Sequence, residues 1–231
     1  MKKTAEFIAR QNAAKTRINQ LDHDRLFAEP ERGEFFETVY SQANDDPAMI
    51  PWADLEAKQA LTEWLGQNGQ QRGKAIDVGC GLGDNAEALA SAGYDTVGFD
   101  FSSDAIRWAQ KRFPDSPVEY QIADLFNLPE EMIGAFDLVH ECYTLQSIPP
   151  ETLEKSIPAV ASLVAPGGTL LVYSRVRKDG SQVSGPPWPL EEKAASSFAS
   201  HGLELVETKR FEILKGERNM PHTFSVWRRV K

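Results

Sequence analysis

A chain of 231 residues with 41% hydrophobic and 26% charged residues has the make-up of one globular domain whose core can stand alone. Its net charge of −9 argues against a polyanionic partner, because nucleic-acid binding draws on Lys and Arg contacts to phosphate. Two cysteines, Cys80 and Cys142, exclude a disulfide framework, and neither they nor the histidines at 23, 140, 201 and 222 show metal-ligand spacing, so no metal is expected.

No apolar run approaches a membrane span, and Glu6 and Arg10 fall where a secretory signal needs an apolar core, so the expected compartment is the cytoplasm. Over residues 1–25, Phe7, Ala14, Ile18 and Leu21 recur at helical spacing and predict an amphipathic helix, packed on the domain or serving as a lid. A short helix over residues 33–41, with Phe35, Phe36 and Tyr40, is broken by Asn44-Asp-Asp-Pro47. Ile50-Pro-Trp-Ala-Asp54 then precedes a helix over residues 55–65, with Asp54 as a cap and Trp52 either in the core or on a cleft.

The stretch Ala75-Ile-Asp-Val-Gly-Cys-Gly-Leu-Gly-Asp-Asn85 organises the remainder. Ile76 and Val78 predict a buried strand. Gly79, Gly81 and Gly83 permit a sharp turn against which a ligand can lie. Residues 84–92 form a helix stopped by Gly93. Strand, glycine turn and helix are the parts of a Rossmann-like nucleotide site. The dinucleotide fingerprint needs glycine at its sixth position, where this chain has Asp84. A carboxylate there repels phosphate and takes the helix N–H groups itself, which favours a cofactor without phosphate.

Further strands are expected over residues 96–100, ending in Asp100, and 118–123, ending before Asp124. A helix over residues 103–113 lies between them, and Ser102 or Ser103 caps it better than Asp100. Residues 136–142 give a fourth strand, residues 151–164 a helix containing Pro158, and residues 164–173 a Pro-Gly-Gly turn and fifth strand. An irregular loop over residues 177–189 leads to a helix near residues 190–200. Alternating strands over residues 203–213 and 222–230 end the chain. Alternating strand and helix implies right-handed crossovers and a parallel sheet.

Asp77-x-Gly-x-Gly-x-Gly83, Asp100, Asp124 and the strands through Tyr173 together resemble class I S-adenosylmethionine-dependent methyltransferases. Ile50-Pro-Trp52 resembles an element ahead of the core in thiopurine-methyltransferase-like enzymes. The resemblance implies an α/β, Rossmann-like, seven-stranded, mostly parallel sheet flanked by helices, with its last strand antiparallel. Residues 71–231 form this domain, and residues 1–70 are a helical extension or lid of it. It implies S-adenosylmethionine as cofactor, contacted by Trp52, Asp77, Gly79, Cys80, Gly81, Gly83, Asp100, Phe101, Ala123, Asp124, Leu125 and Glu141. Asp100 is placed to take the ribose hydroxyls with its two acceptor oxygens, and Asp124 the adenine amino group.

Methyl transfer from a sulfonium needs alignment and desolvation, with a base where the acceptor must lose a proton. The segment 140–146 follows the fourth strand, at the end of the sheet where ligands bind; Glu141 is the candidate base or polar anchor and Tyr143 the aromatic contact. Cys142 lacks the preceding proline of cytosine-C5 enzymes, and the Pro-Pro-Tyr turn of amino-methylating nucleic-acid enzymes is missing. The expected acceptor is therefore a small molecule, methylated at O, N, S or a halide, with no nucleic-acid or membrane partner. A non-catalytic cofactor-binding module and a nicotinamide oxidoreductase are the alternatives. The N-terminal segment through Trp52 and the loop at residues 185–189 are both expected to flank the acceptor pocket.

Overall fold

The computed structural model describes residues 3–24, 31–68, 73–183, 185–215 and 218–231. Five strands, β1 (Lys74–Val78), β2 (Asp95–Asp100), β3 (Glu119–Ile122), β4 (Phe136–Cys142) and β5 (Val164–Arg177), run parallel. The two-residue β6 (Leu190–Glu191) adds to the far end of β5, and β7 (Leu203–Lys215) and β8 (Arg218–Arg229) form an antiparallel hairpin. The order is β3-β2-β1-β4-β5-β8-β7, with β8 antiparallel to both neighbours and β6 off the path as an eighth strand. The expected seven-stranded sheet is this path.

Alternation along the strands sorts two cores. Ile76, Val78, Phe99, Val139, Leu170 and Val172 face one layer, closed by α6 (Leu153–Ser162) and a 3-10 turn at Ser197–His201. Ala75, Leu138, Leu171 and Tyr173 face the other, beneath α3 (Gln59–Asn68) and α4 (Asp84–Ser91). Ser102 caps α5 (Ser103–Arg112) by accepting the Ala105 N–H at 3.1 Å, as its position predicted.

The N-terminal segment forms α1 (Ala5–Asp24) and α2 (Glu31–Ala43). Ala14 and Ile18 of α1 are buried, and the side chain of Leu21 lies outside the described residues. Gln11 donates to the carbonyls of Ile50 and Ala53 at 3.0 and 2.9 Å, which ties α1 to the Pro-Trp segment. Asn44 and Asp45 break α2 with φ of 49° and 60°.

Two local expectations change. Asp54 does not cap a helix; its carboxylate pairs with Lys3 and Lys58, and α3 begins at Gln59. Two nearby cations outbid the amides of a helix start. The residues from 190 to 200 are not one helix: Leu190 and Glu191 pair with Val176 and Arg177, leaving only the short α7 (Glu192–Ala195) and a 3-10 turn. Among the described residues, no helix is long and apolar enough to cross a membrane.

Candidate functional site

The parallel register brings the C-terminal ends of β1, β2 and β4 level: Val78 lies beside Phe99 and Glu141. The chain then leaves β1 through the glycine turn, where Gly79, Gly81 and Gly83 have φ of 63°, 53° and 89°. Only glycine adopts these values without strain. A Cβ on Gly79 would stand 2.4 Å from Thr144 Oγ1, and Thr144 in turn donates to the Val78 carbonyl at 2.9 Å. The turn after β4 is thereby fastened to the glycine turn.

Above these ends opens a cleft of about 730 Å³, within the range of small-molecule sites. Gly79, Cys80, Gly81 and Asp100 line one part of it, with Phe101, Ala123, Asp124 and Leu125 beside them. Phe36, Trp52, Lys58, Tyr143 and Ile148 line the other. The Asp100 carboxylate accepts the Gly81 N–H at 2.9 Å and the Ser102 N–H at 3.0 Å, clamping β2 to the glycine turn. Burial pushes its pKa up to about 6. The Asp124 carboxylate accepts the Phe126 N–H at 2.9 Å. Burial raises both thiols far above the usual range, so Cys80 and Cys142 stay neutral and are poor nucleophiles.

The N-terminal segment builds a wall of the cleft. Trp52 donates from Nε1 to the Tyr40 hydroxyl at 2.9 Å and meets Phe36 edge-on at 5.5 Å. Gly33 lies against Phe101, where a Cβ would come within 2.5 Å of the ring. Lys58 is held through its backbone N–H by Asn85 Oδ1 at 3.0 Å. Its ammonium pairs with Asp54 and lies 4.6 Å from the Tyr143 ring centroid. Burial acts to lower the Lys58 pKa, and Cys142, Asp54 and Tyr173 around the ammonium together hold it above its ordinary value.

Three expected site residues lie under the cleft, not on it. Asp77 is buried and pairs with its register partner His140 at 2.7 Å. Gly83 packs beneath the turn against Tyr120, where a Cβ would stand 2.4 Å from the hydroxyl. Glu141 is fully buried and accepts the Leu145 N–H at 3.0 Å, shaping the turn that presents Tyr143. β4 is central and covered on both faces, so Glu141, one residue before its end, is as buried as the middle of the strand. Asp84 also departs from expectation: its carboxylate leaves the helix N–H groups and takes both terminal nitrogens of Arg112 at 2.8 Å. The loop at residues 185–189 does not line the cleft, although Ile148 borders both the cleft and the cavity that the loop lines. Trp188 and Pro189 line a separate cavity of about 240 Å³, and the Trp188 N–H donates to the Gln146 carbonyl at 2.7 Å.

Burial pushes the Glu141 pKa from 4.5 to about 7. Between those values the folded chain keeps a proton that the unfolded chain has released, so stability falls as the pH rises through this window. Glu141→Gln is expected to remove this part of the slope, about 3 kcal/mol at most. The check is a smaller loss of Tm from pH 5 to pH 8 than in the parent protein.

Residues 75–168 match the family model described as a methyltransferase domain. This segment is a methyltransferase domain. The ubiquinone biosynthesis O-methyltransferase of Chromobacterium violaceum is 37% identical over 98 residues, covering 41% of each chain. That of Aromatoleum aromaticum is 32% identical over 120 residues, covering 51% of this chain and 50% of its own. This chain thus spans about two-fifths to a half of the length of these curated relatives. In fold, it is similar to magnesium protoporphyrin IX methyltransferase from Synechocystis PCC 6803, solved with S-adenosylhomocysteine bound. The TM-score is 0.65 at 18% identity, over 86% of this chain and 99% of that one. The matched segment ends within β5, before β7, β8 and the loop ahead of them, and it does not include the N-terminal wall. The aromatic and cationic half of the cleft comes largely from outside the matched segment: Phe36, Trp52 and Lys58 precede it, while Tyr143 and Ile148 lie within it.

Proposed function

We propose that this protein transfers the methyl group of S-adenosylmethionine to a hydroxyl oxygen of a small, largely apolar molecule. The observation that carries this reading is the single cleft that joins the glycine turn and Asp100 to the Phe36, Trp52, Tyr143 and Lys58 surface. The residues fit the cofactor: bare glycine backbone faces the cleft at Gly79 and Gly81, and the Asp100 carboxylate stands at the end of β2 with lone pairs to spare. Gly79, Cys80 and Gly81 would lie along it, Asp100 would take the ribose hydroxyls, Asp124 the adenine amino group, and Phe101, Ala123 and Leu125 the base. When bound, the cofactor supplies a methyl group already activated on a sulfonium. The chain's own work is to align the acceptor on it and to keep bulk water out, which is worth up to roughly 7–11 kcal/mol in favourable systems. Phe36, Trp52 and Tyr143 give apolar, stiff surface for that purpose. The similarity to oxygen-methylating relatives supports oxygen as the acceptor atom.

Calorimetry with S-adenosylhomocysteine is expected to show saturable, metal-independent binding. S-adenosylhomocysteine release from S-adenosylmethionine is then expected on addition of a metabolite fraction containing hydroxylated aromatic compounds. No heat at high micromolar protein would defeat the cofactor assignment. Binding without release would favour a non-catalytic module instead.

A second expectation follows from charge. The net charge of −9 opposes contact with polyanions. Double-stranded DNA is expected to run free in a gel shift at about 0.1 M salt, and tight, steeply salt-dependent retention would overturn the small-molecule assignment.

A further inference from the structure

We propose that Tyr143 and His222 form a proton relay for the acceptor, in which Tyr143 touches the acceptor hydroxyl and His222 is the terminal base behind it. The proposal rests on the oxygen-methylation reading above and names its proton path. Tyr143 is held at φ 68°, a left-handed conformation uncommon for an aromatic residue and a mark of local strain. Tyr143 follows directly on the end of β4 and lines the cleft, with its side chain packed against Tyr173. Its hydroxyl lies 2.8 Å from His222 Nε2 on β8, 79 residues away in the chain.

The histidine is set up to receive a proton. His222 Nδ1 lies 2.7 Å from the Met220 carbonyl. A carbonyl only accepts, so Nδ1 carries the hydrogen and the neutral ring presents Nε2 as an acceptor. Tyr143 therefore donates to His222; its oxygen is also in hydrogen-bond contact with the Tyr173 hydroxyl, and one lone pair remains to accept from a hydroxyl in the cleft. The imidazole is 1% exposed and stacks on Phe211 at 5.6 Å with an interplanar angle of 18°, which fixes its orientation. Burial holds the Tyr143 phenol far above its ordinary range, so it passes a proton on and does not ionise alone. Glu141, the base expected from the sequence, is sealed beneath the same turn.

The step balances. The acceptor O–H bond breaks as its proton passes to Tyr143 Oη, while the Tyr143 proton passes to His222 Nε2. The acceptor oxygen forms a bond to the methyl carbon, the carbon–sulfur bond breaks, and its electron pair stays on sulfur. The positive charge lost from sulfur reappears on the His222 imidazolium, so the site carries the same net charge before and after. After the products leave, the proton returns through Tyr143 to solvent in the cleft.

The test uses the full chain saturated with S-adenosylhomocysteine, and 4-nitrophenol as a coloured probe. At about pH 6, bound 4-nitrophenol is expected to show its phenolate band in the parent protein and to lose it in both Tyr143→Phe and His222→Gln. In turnover with S-adenosylmethionine, phenol, 4-chlorophenol and 4-nitrophenol are compared. Both variants are expected to lose about 100-fold or more with phenol, and the deficit is expected to shrink as the probe becomes more acidic. An equal deficit across the series marks a structural role and overturns the proposal, as does parent-like behaviour in both variants. Failure of the parent protein to bind or methylate any of the phenols while S-adenosylhomocysteine binds also overturns it. Failure to bind S-adenosylhomocysteine sinks the methyl-transfer reading instead. Tyr143→Phe keeps the ring and its packing, so it carries the test even if His222→Gln does not fold.

Discussion

Asp100→Ala is expected to weaken S-adenosylhomocysteine binding by about 1.5–3 kcal/mol, or roughly 10- to 150-fold. The carboxylate is partly buried at the end of β2 and already accepts two backbone N–H groups, from Gly81 and Ser102. Each oxygen has a further lone pair for a sugar hydroxyl. Removing it costs the charge-assisted bonds to the ligand and loosens the clamp on the glycine turn. Asp100→Asn keeps one acceptor oxygen and is expected to fall between the two. Asp124→Ala removes one ligand bond and is expected to lose less. Because burial holds the Asp100 carboxyl up to about 6, affinity is expected to fall as the pH drops through that value, and to stay flat in the asparagine variant. The contribution to stability has the opposite sign: the folded chain keeps the proton longer, so stability is lost as the pH rises from 3.8 towards 6. Calorimetry across this pH range separates the two. Unchanged affinity in a folded Asp100→Ala variant would place the ribose elsewhere.

Gly83→Ala is expected to destabilise the protein by roughly 2–5 kcal/mol, the sum of a strained left-handed alanine and an overpacked contact. The φ of 89° disfavours any side chain, and the added Cβ would stand 2.4 Å from the Tyr120 hydroxyl. That hydroxyl cannot retreat freely, since it is buried and bonded to Glu87 at 2.6 Å. The expected fall in Tm is on the order of 5–15 °C for a chain of this size. Gly83 does not line the cleft, so below the unfolding transition S-adenosylhomocysteine affinity is expected to survive better than stability does. Gly81→Ala is the contrast: its Cβ would enter the cleft wall 3.0 Å from the Tyr40 hydroxyl, and binding is expected to suffer more than Tm. If thermal melts show Gly83→Ala as stable as the parent, the turn is looser than its geometry implies.

The local parts of this protein were legible in its residue order. Ile76 and Val78, the glycines at 79, 81 and 83, and the acid at the end of β2 announced a strand, a left-handed turn and a ligand edge, because each depends on the preferences of a few adjacent residues. Alternation over residues 203–213 and 222–230 likewise announced the last two strands, and the family resemblance their pairing as a hairpin. What the tertiary structure alone decided was which polar groups meet. Asp84 took Arg112 from 28 positions away instead of the amides of its own helix, Asp77 took His140 across the sheet, and Asp54 took Lys3 and Lys58. Glu141 and Tyr143 are two positions apart on one strand end, yet one is sealed in a covered central strand and the other lines the cleft at a left-handed φ that no tyrosine advertises. Tyr40, Lys58 and His222 carry no spacing signal, since α2, the segment before α3, and β8 reach the site only when the sheet order sets them around the ends of β1, β4 and β5. Propensity acts over a few residues, whereas the partner of a buried charge is chosen by desolvation over the whole fold, and that choice exists only once the chain has closed on itself.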